Sequence, residues 1–453
     1  MPTTQLPVIA LVGRPNVGKS TLFNYLTRSR DALVADWPGL TRDRQYGEAQ
    51  IHDREVILVD TGGIGDEQAE IDHLMSQQAQ LAIDEADVVL LLLDGRAGLT
   101  AADQTVAEQL RRLGKVLYLL VNKTEGLQKD SACAEFHSLG LGEPWPISAA
   151  HGHGVDELLD DLLQTLPAPE IEDQTTAKGI KFAVIGRPNV GKSTLVNRIL
   201  GEERVVVCDM PGTTRDSIDS AFTRQGESYT VIDTAGVRRR GRVRQVIEKF
   251  SVIKTLQAIA RAHVIVMLVD GREGVTEQDL HLLGSVIKAG RALVIAINKC
   301  DHLPQDAKQQ LKRDIDRRLG FVDFARVHYI SALHGTGVGD LFHSIQEAYQ
   351  SANQPMTSSQ LTKILEQALA AHQPPLSKGR RIKLRYAHPG GHNPLTIVIH
   401  GKQTTALPAS YQKYLINTFR KVLKVVGAPL QLIFHTEDNP YVTDSGSRHH
   451  QRG

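Results

Sequence analysis

The sequence predicts an α/β protein: two tandem P-loop domains, each on a doubly wound and mostly parallel sheet, followed by a smaller α+β domain. Three observations carry this expectation. The string GRPNVGKSTL occurs twice, at Gly13–Leu22 and Gly186–Leu195. Around each copy, short apolar runs alternate with helical stretches, the pattern of parallel strands covered by helices. Beyond the second copy the charge balance changes: residues 353–453 carry 13 Lys or Arg against 4 Asp or Glu, a net +9, while the first 352 residues sum to −8.

The repeat extends past the glycine-rich string. An offset of 173 carries Thr41 to Thr214 and Asp60 to Asp233. It becomes 176 for Asp94 to Asp270 and Asn122 to Asn298, and 183 for Ser148 to Ser331. Two domains of one fold, differing by small insertions, account for this. The strands of the first are expected near 7–12, 55–59, 88–93 and 116–121, and those of the second near 180–185, 229–232, 264–269 and 292–297. The polar, Pro-bounded stretch 167–179 reads as a linker. The resulting division is 1–166, 167–179, 180–350 and 351–438, with a disordered tail over 439–453. In the last domain a helix at 357–371, strands near 380–387 and 395–400, a helix at 409–424 and a strand near 429–435 are expected.

Composition excludes several classes. Hydrophobic residues make up 41%, enough for packed cores. Cys133, Cys208 and Cys300 form no CxxC pair, which argues against zinc and a disulfide framework and for a reducing cytoplasm. The apolar runs Val88–Leu93 and Val264–Val269 are too short to cross a bilayer. No signal peptide precedes Val8–Val12. A monomer that binds neither membrane nor DNA is expected.

Gly13-Arg14-Pro15-Asn16-Val17-Gly18-Lys19-Ser20 and Gly186-Arg187-Pro188-Asn189-Val190-Gly191-Lys192-Ser193 each follow an apolar run and open a helix. This is the context in which GxxxxGKS is a phosphate-binding loop: backbone N–H groups turn inward around phosphate oxygens, and a helix N-terminus adds its dipole. Lys19 and Lys192 are expected on the β- and γ-phosphates, and Ser20 and Ser193 on Mg²⁺. Asp60-Thr61-Gly62-Gly63 and Asp233-Thr234-Ala235-Gly236 follow further strands; their aspartates suit Mg²⁺ through water and their last glycines the γ-phosphate. Thr41 and Thr214, in PGxTRD loops, suit a hydroxyl that closes on Mg²⁺ when a triphosphate is present. Lys19, Thr41, Asp60, Gly63, Lys192, Thr214, Asp233 and Gly236 are therefore the expected catalytic groups.

Asn122-Lys123-Thr124-Glu125 and Asn298-Lys299-Cys300-Asp301 follow the next apolar runs. A carboxylate at the fourth position accepts both N1–H and N2–H₂ of guanine; adenine lacks these donors and would leave it unpaired, so selectivity for GTP and GDP follows. Lys123 and Lys299 can lay their stems along the base, and Ser148-Ala149 and Ser331-Ala332 match the element whose backbone meets the guanine carbonyl. A P-loop kinase or ATPase fits these base motifs poorly. An RNA-binding scaffold with a single working GTPase site remains an alternative.

With these motifs in both copies, the PGxTRD loops, Val246–Ile259 and the segment QPPLSKGRRIKLRYAHPGG at Gln373–Gly391, the chain resembles the Der (EngA) family of double-Era-like bacterial GTPases over nearly its whole length. The resemblance implies a KH-like third domain, action in assembly of the large ribosomal subunit with its rRNA as partner, and slow turnover helped by K⁺. Asn16 and Asn189 hold the loop position that helps bind K⁺ in related proteins. Where many GTPases carry a water-orienting Gln, this chain has Ile64 and Val237, which cannot orient water. Glu125 stands where Asp is usual, and Arg238, Arg239, Arg240, Arg242 and Arg244 cluster only in the second copy. In the last domain Leu415, Phe419, Val422 and Val426 are expected to face the core, with Lys413, Arg420 and Lys424 outward beside Arg380, Arg381, Lys383 and Arg385. No GxxG joins two helices there; Gly390-Gly391 falls between strands.

Overall fold

The structure, a computed structural model, describes residues 6–27, 45–61, 77–167, 179–201, 205–208, 219–232, 252–301, 304–377 and 380–436. It divides into two compact units. The first holds β1 (Val8–Val12), α1 (Lys19–Thr27), β2 (Gln45–Ile51), β3 (Arg54–Asp60), α2 (Gln77–Glu85), β4 (Val88–Asp94), α3 (Ala101–Arg112), β5 (Val116–Asn122), α4 (Lys129–Cys133), β6 (Pro144–Pro146) and α5 (Val155–Thr165). Its sheet runs β2-β3-β1-β4-β5-β6, antiparallel at β2–β3 and parallel elsewhere. β4, VVLLLLD, is buried along its whole length because helices cover both faces, so its sequence shows no alternation.

The second unit repeats the plan with β7 (Ile180–Ile185), α6 (Lys192–Leu200), β8 (Val205–Cys208), β9 (Ser220–Arg224) and β10 (Glu227–Ile232). The helix α7 (Val252–Arg261) groups with the first unit. There follow β11 (Val264–Asp270), α8 (Glu277–Lys288), β12 (Ala292–Asn298), α9 (Gln305–Arg318), β13 (Arg326–Tyr329) and α10 (Val338–Ala352), in a sheet ordered β13-β12-β11-β7-β10-β9-β8. Two details recur in both copies. A Thr-x-x-Asp capping box opens α3 at Thr100 and Asp103 and α8 at Thr276 and Asp279. The positive φ of Asn16 and Asn189 (65° and 63°) turns each phosphate loop.

The strands missing from the sequence reading are the antiparallel β2, β8 and β9 and the short edge strands β6 and β13. β2 reads QYGEAQI and β13 reads RVHY with its side chains largely outward. β2 and β13 are edge strands, which bury at most one face and so leave no continuous apolar run, while the interior β9 reads SAFTR and the edge strand β8, VVVC, is only four residues long.

The C-terminal domain packs α11 (Ser358–Ala371) and α12 (Ala409–Leu423) on a three-stranded sheet of β16 (Lys383–Gly391), β17 (Leu395–Lys402) and β18 (Leu430–Thr436), preceded by the two-residue strands β14 (Leu376–Ser377) and β15 (Arg380–Arg381). β16–β17 is antiparallel and β17–β18 parallel, with α12 as the crossover. One buried cluster runs from Phe182 and Phe342 of the second nucleotide fold into Leu361, Ile397 and Phe419 of this domain. At the join, Gly427 N donates to Phe324 O (2.7 Å) and Leu293 N to Gly427 O (2.6 Å). Gly427 has φ 72°, and a Cβ there would stand 2.5 Å from Ala348 Cβ, so only glycine lets the two backbones approach.

This join corrects the reading of the last helix. The buried stripe of α12 is Tyr411, Leu415, Phe419 and Leu423; Val422 is 48% exposed, and Val426 lies beyond the helix, which ends on Lys424 at φ 55°. A spacing of four makes the buried stripe drift by about 40° at each step, so that at the end of the helix it has moved on to Leu423, about 100° round from Val422. Arg420 does not join an outward basic face. Its guanidinium donates to Asp323 Oδ1 (2.9 Å) and lies 5.1 Å from the Phe324 ring centroid, tying α12 to the second nucleotide fold. Lys413 and Lys424 are exposed as expected.

Candidate functional site

In each copy the first strand delivers the phosphate loop to the foot of the following helix, at the C-terminal edge of the sheet where ligands of such folds bind. Gly18 and Gly191 sit at φ 103° and touch the base-motif asparagines: a Cβ would meet Asn122 Nδ2 at 2.2 Å and Asn298 Nδ2 at 2.4 Å. Lys19 Nζ donates to the carbonyls of Gly13 (2.7 Å) and Arg14 (2.8 Å), and Lys192 Nζ to those of Gly186 (3.0 Å) and Arg187 (2.8 Å). Each ammonium therefore lies curled under its own loop. Burial pushes the Lys19 ammonium below its ordinary value, with the Asp60 carboxylate opposing. Such an ammonium gains when an anion enters the loop.

Ser20 Oγ donates to Asp60 Oδ2 (2.7 Å), and Asp60 is fully buried at the end of β3. Thr61 hangs from the Leu11 carbonyl by its hydroxyl (2.7 Å). Ser193, also buried, holds the corresponding place at the start of α6. A serine hydroxyl beside a carboxylate is a hard-oxygen pair of the kind Mg²⁺ takes. Thr41, Gly62, Gly63, Ile64, Thr214, Asp233, Thr234, Ala235, Gly236 and Val237 lie outside the described residues, as does the run Arg238–Arg244.

The base motif is bolted to the phosphate loop in the same way twice. Asn122 Nδ2 donates to Val17 O (2.8 Å) while its Oδ1 accepts from Ala149 N (2.9 Å); Asn298 repeats both bonds to Val190 O (2.8 Å) and Ala332 N (2.9 Å). One side chain thus joins three loops, and the Ala149 and Ala332 amides expected at the guanine carbonyl are already engaged. Lys123 Nζ donates to Asn16 O (2.8 Å) and Asp94 Oδ2 (2.6 Å); Lys299 Nζ donates to Asn189 O (2.8 Å) and Asp270 Oδ2 (2.5 Å). Both lysines hold positive φ, 67° and 64°, the kind of costly backbone that persists where surroundings over-determine it. Burial raises the Asp94 carboxyl, but the Lys123 bond and the amides of Arg96 and Ala97 outweigh it and hold the group below its ordinary value.

The fourth positions differ. Glu125 Oε1 accepts from Arg96 Nη2 (2.8 Å), while Oε2 is buried without a hydrogen-bond partner among the described residues, and chiefly its own backbone amide holds its carboxyl below the ordinary range. Asp301 Oδ2 lies 3.6 Å from His334 Nε2. Thr124 Oγ1 donates to Ile147 O (2.8 Å), whereas Cys300 Sγ lies 3.3 Å from Ile297 O and burial pushes its thiol up. In the sequence Asp94 and Asp270 serve only to mark the repeat, and Arg96 has no assigned role; the offset of 176, which carries Asp94-Gly95-Arg96 onto Asp270-Gly271-Arg272, was the signal that could have placed all three at the site. Among the described residues no group of three or more His, Cys, Asp or Glu is placed to hold a metal, and no helix is long and apolar enough to cross a membrane.

Comparison with known proteins bears on the same regions. A family model described as "50S ribosome-binding GTPase" matches residues 8–123 and again 181–299, and one described as "KH-domain-like of EngA bacterial GTPase enzymes, C-terminal" matches 356–435. "GTPase Der" of Thioalkalivibrio sulfidiphilus is 61% identical over 96% of this chain and 94% of its own length. The "GTPase Der" proteins of Cellvibrio japonicus and Acinetobacter baumannii strain SDF are 58% and 57% identical, each over 96% of this chain and 94% and 93% of their own lengths.

Proposed function

Because this chain belongs to the Der (EngA) family of tandem GTPases, and is thus a guanine-nucleotide-binding GTP hydrolase, we propose that it acts in the cytoplasm as a two-site switch in assembly of the large ribosomal subunit. The observation that supports this most is the basic third domain, net +9 over residues 353–453, joined by a common core to one GTPase domain. A change in that domain's nucleotide site has a packed route to the RNA-facing surface. Phosphate contacts from Lys413, Lys424 and Lys383 would supply affinity without base specificity. We take 1–166, 180–350 and 351–438 as the working domains.

Within each site we assign the phosphate cradle to the loop amides and to Lys19 and Lys192, which leave their loop carbonyls for the β- and γ-oxygens. Ser20 with Asp60, and Ser193 with Asp233, would hold Mg²⁺, joined by Thr41 and Thr214; the ion neutralises charge that develops on the transferred phosphoryl group. Gly63 and Gly236 would meet the γ-phosphate. Glu125 and Asp301 would take the guanine N1–H and amine, and the Ala149 and Ala332 amides would turn from the asparagines to the base carbonyl. Ile64 and Val237, which follow Gly63 and Gly236 in the sequence, carry no group that can orient water. Catalysis then rests on electrostatics, to which K⁺ at the exposed Asn16 and Asn189 would add.

The test sediments the full chain with large subunits under a GTP analogue and under GDP, across a salt series, alongside GTP turnover in KCl and NaCl. Expected are binding that depends on nucleotide and falls steeply with salt, and faster turnover in KCl. Binding indifferent to nucleotide and to removal of residues 353–453 would overturn the ribosomal reading, and equal turnover in the two salts the K⁺ assignment.

A further inference from the structure

The first site carries a longer base-reading side chain than the second, and the structure surrounds that side chain with a guanidinium. Arg96 follows β4. It donates from Nε to Lys123 O (3.3 Å) and from Nη2 to both Glu125 O (3.4 Å) and Glu125 Oε1 (2.8 Å). It therefore grips the base motif by two main-chain carbonyls and the carboxylate itself. The second copy has an arginine at the same place, Arg272, whose backbone amide caps Asp270 (2.9 Å) just as that of Arg96 caps Asp94 (3.0 Å), but the base-reading carboxylate there belongs to the shorter Asp301. Glu has one more rotatable bond than Asp, so its carboxylate sweeps a larger arc and costs more to hold at one point. A carboxylate offers about four lone-pair sites, and Glu125 Oε2 is buried without a hydrogen-bond partner among the described residues, so the Arg96 bond to Oε1 leaves the other oxygen's acceptor sites for a base.

We propose that Arg96 is a positioning and specificity residue of the first site: it clamps Glu125 so that the longer carboxylate meets the guanine N1–H and exocyclic amine together. The proposal rests on Glu125 as the base reader. Arg96 is 57% exposed, so the clamp is an exposed ion pair and its effect is modest. It acts on orientation, and orientation matters most for a base held by two bonds. Inosine nucleotides lack the amine and make one bond to the carboxylate, so they need less angular control.

The experiment uses the full chain in a Lys192→Ala background, which removes the second site from the titrated range, and measures affinity for GDP and IDP by calorimetry. Arg96→Ala is expected to weaken GDP about two- to fivefold, the range of an exposed pair, and IDP less, so that the GDP:IDP preference narrows. In a Glu125→Asp background the same substitution is expected to leave that preference unchanged. A loosened loop would instead lower both affinities alike, so an unmoved preference on Arg96→Ala, or an equal fall in both backgrounds, would overturn the clamp. Glu125→Gln separates this from the parent reading. A preference that survives Glu125→Gln overturns the base reader and the clamp together. A preference that collapses there but is untouched by Arg96→Ala overturns the clamp alone.

Discussion

The two nucleotide sites are alike where backbone meets side chain and differ where side chain meets solvent. Asn122 and Asn298 make the same pair of bonds at matching distances, and Lys123 and Lys299 the same bridge from loop carbonyl to strand-end aspartate. At the rim the copies part. Arg14 lies 3.4 Å from Asp103, and Ala97 stands where the offset of 176 places Glu273, whereas Arg187 reaches both Asp279 (3.1 Å) and Glu273 (2.8 Å). Glu125 is held by a permanently charged Arg96, and Asp301 faces a histidine. A buried polar group admits few solutions because any unpaired donor is costly. Exposed pairs contribute little and are free to change. Divergence between the copies is thus channelled to the rim.

The largest expected effect tests whether both sites work. Lys19→Ala and Lys192→Ala should each cut hydrolysis at their own site by roughly a hundredfold or more, in line with removal of one preorganised donor at developing charge. The double variant should leave no measurable turnover. Single-turnover assays on the three variants decide the matter, and a single variant that already abolishes all hydrolysis would break the comparison by leaving one working site.

Next in size is the asparagine bridge. Asn122→Ala strands the Val17 carbonyl and the Ala149 amide, and Asn298→Ala the Val190 carbonyl and the Ala332 amide. At about 1–3 kcal/mol per stranded group, each domain should lose roughly 2–6 kcal/mol by denaturant titration, and the losses should match. A clear inequality would show that the shared geometry hides different surroundings.

The smallest effect belongs to one copy. Asp94 has its carboxyl depressed in the folded protein, so it contributes stability that is present above its ordinary value of 3.8 and lost as pH falls through the lower folded value. Acid unfolding of the first domain should therefore be shallower in Asp94→Asn over that window. An identical acid profile would remove Asp94 as a source of the dependence.

Much of this was legible in the chain. The apolar runs that became β1, β4, β5, β7, β11 and β12 are continuous because both faces are covered, and the phosphate loops declare themselves by glycines that admit no Cβ. α12 was legible as a helix but not in its orientation. Its sequence offers apolar side chains at 411, 415, 419, 422 and 423, and only the neighbouring sheet selects the set spaced by four. Arg420 reads as one more surface cation until Asp323 and Phe324, nearly a hundred residues earlier, are brought under it.

The sequence by itself determined the number of domains, their nucleotide chemistry and their family, because those depend on local backbone geometry and on residues a few positions apart. Only the tertiary structure decided what these side chains hold: Asn122 and Asn298 as three-loop ties, Lys19 folded on its own loop, and Arg96 on Glu125. The Lys19 contact is local, but the other pairings join residues 27 to 108 positions apart. No periodicity or motif encodes such a distance; the packing of strands side by side at the C-terminal edge of the sheet closes it.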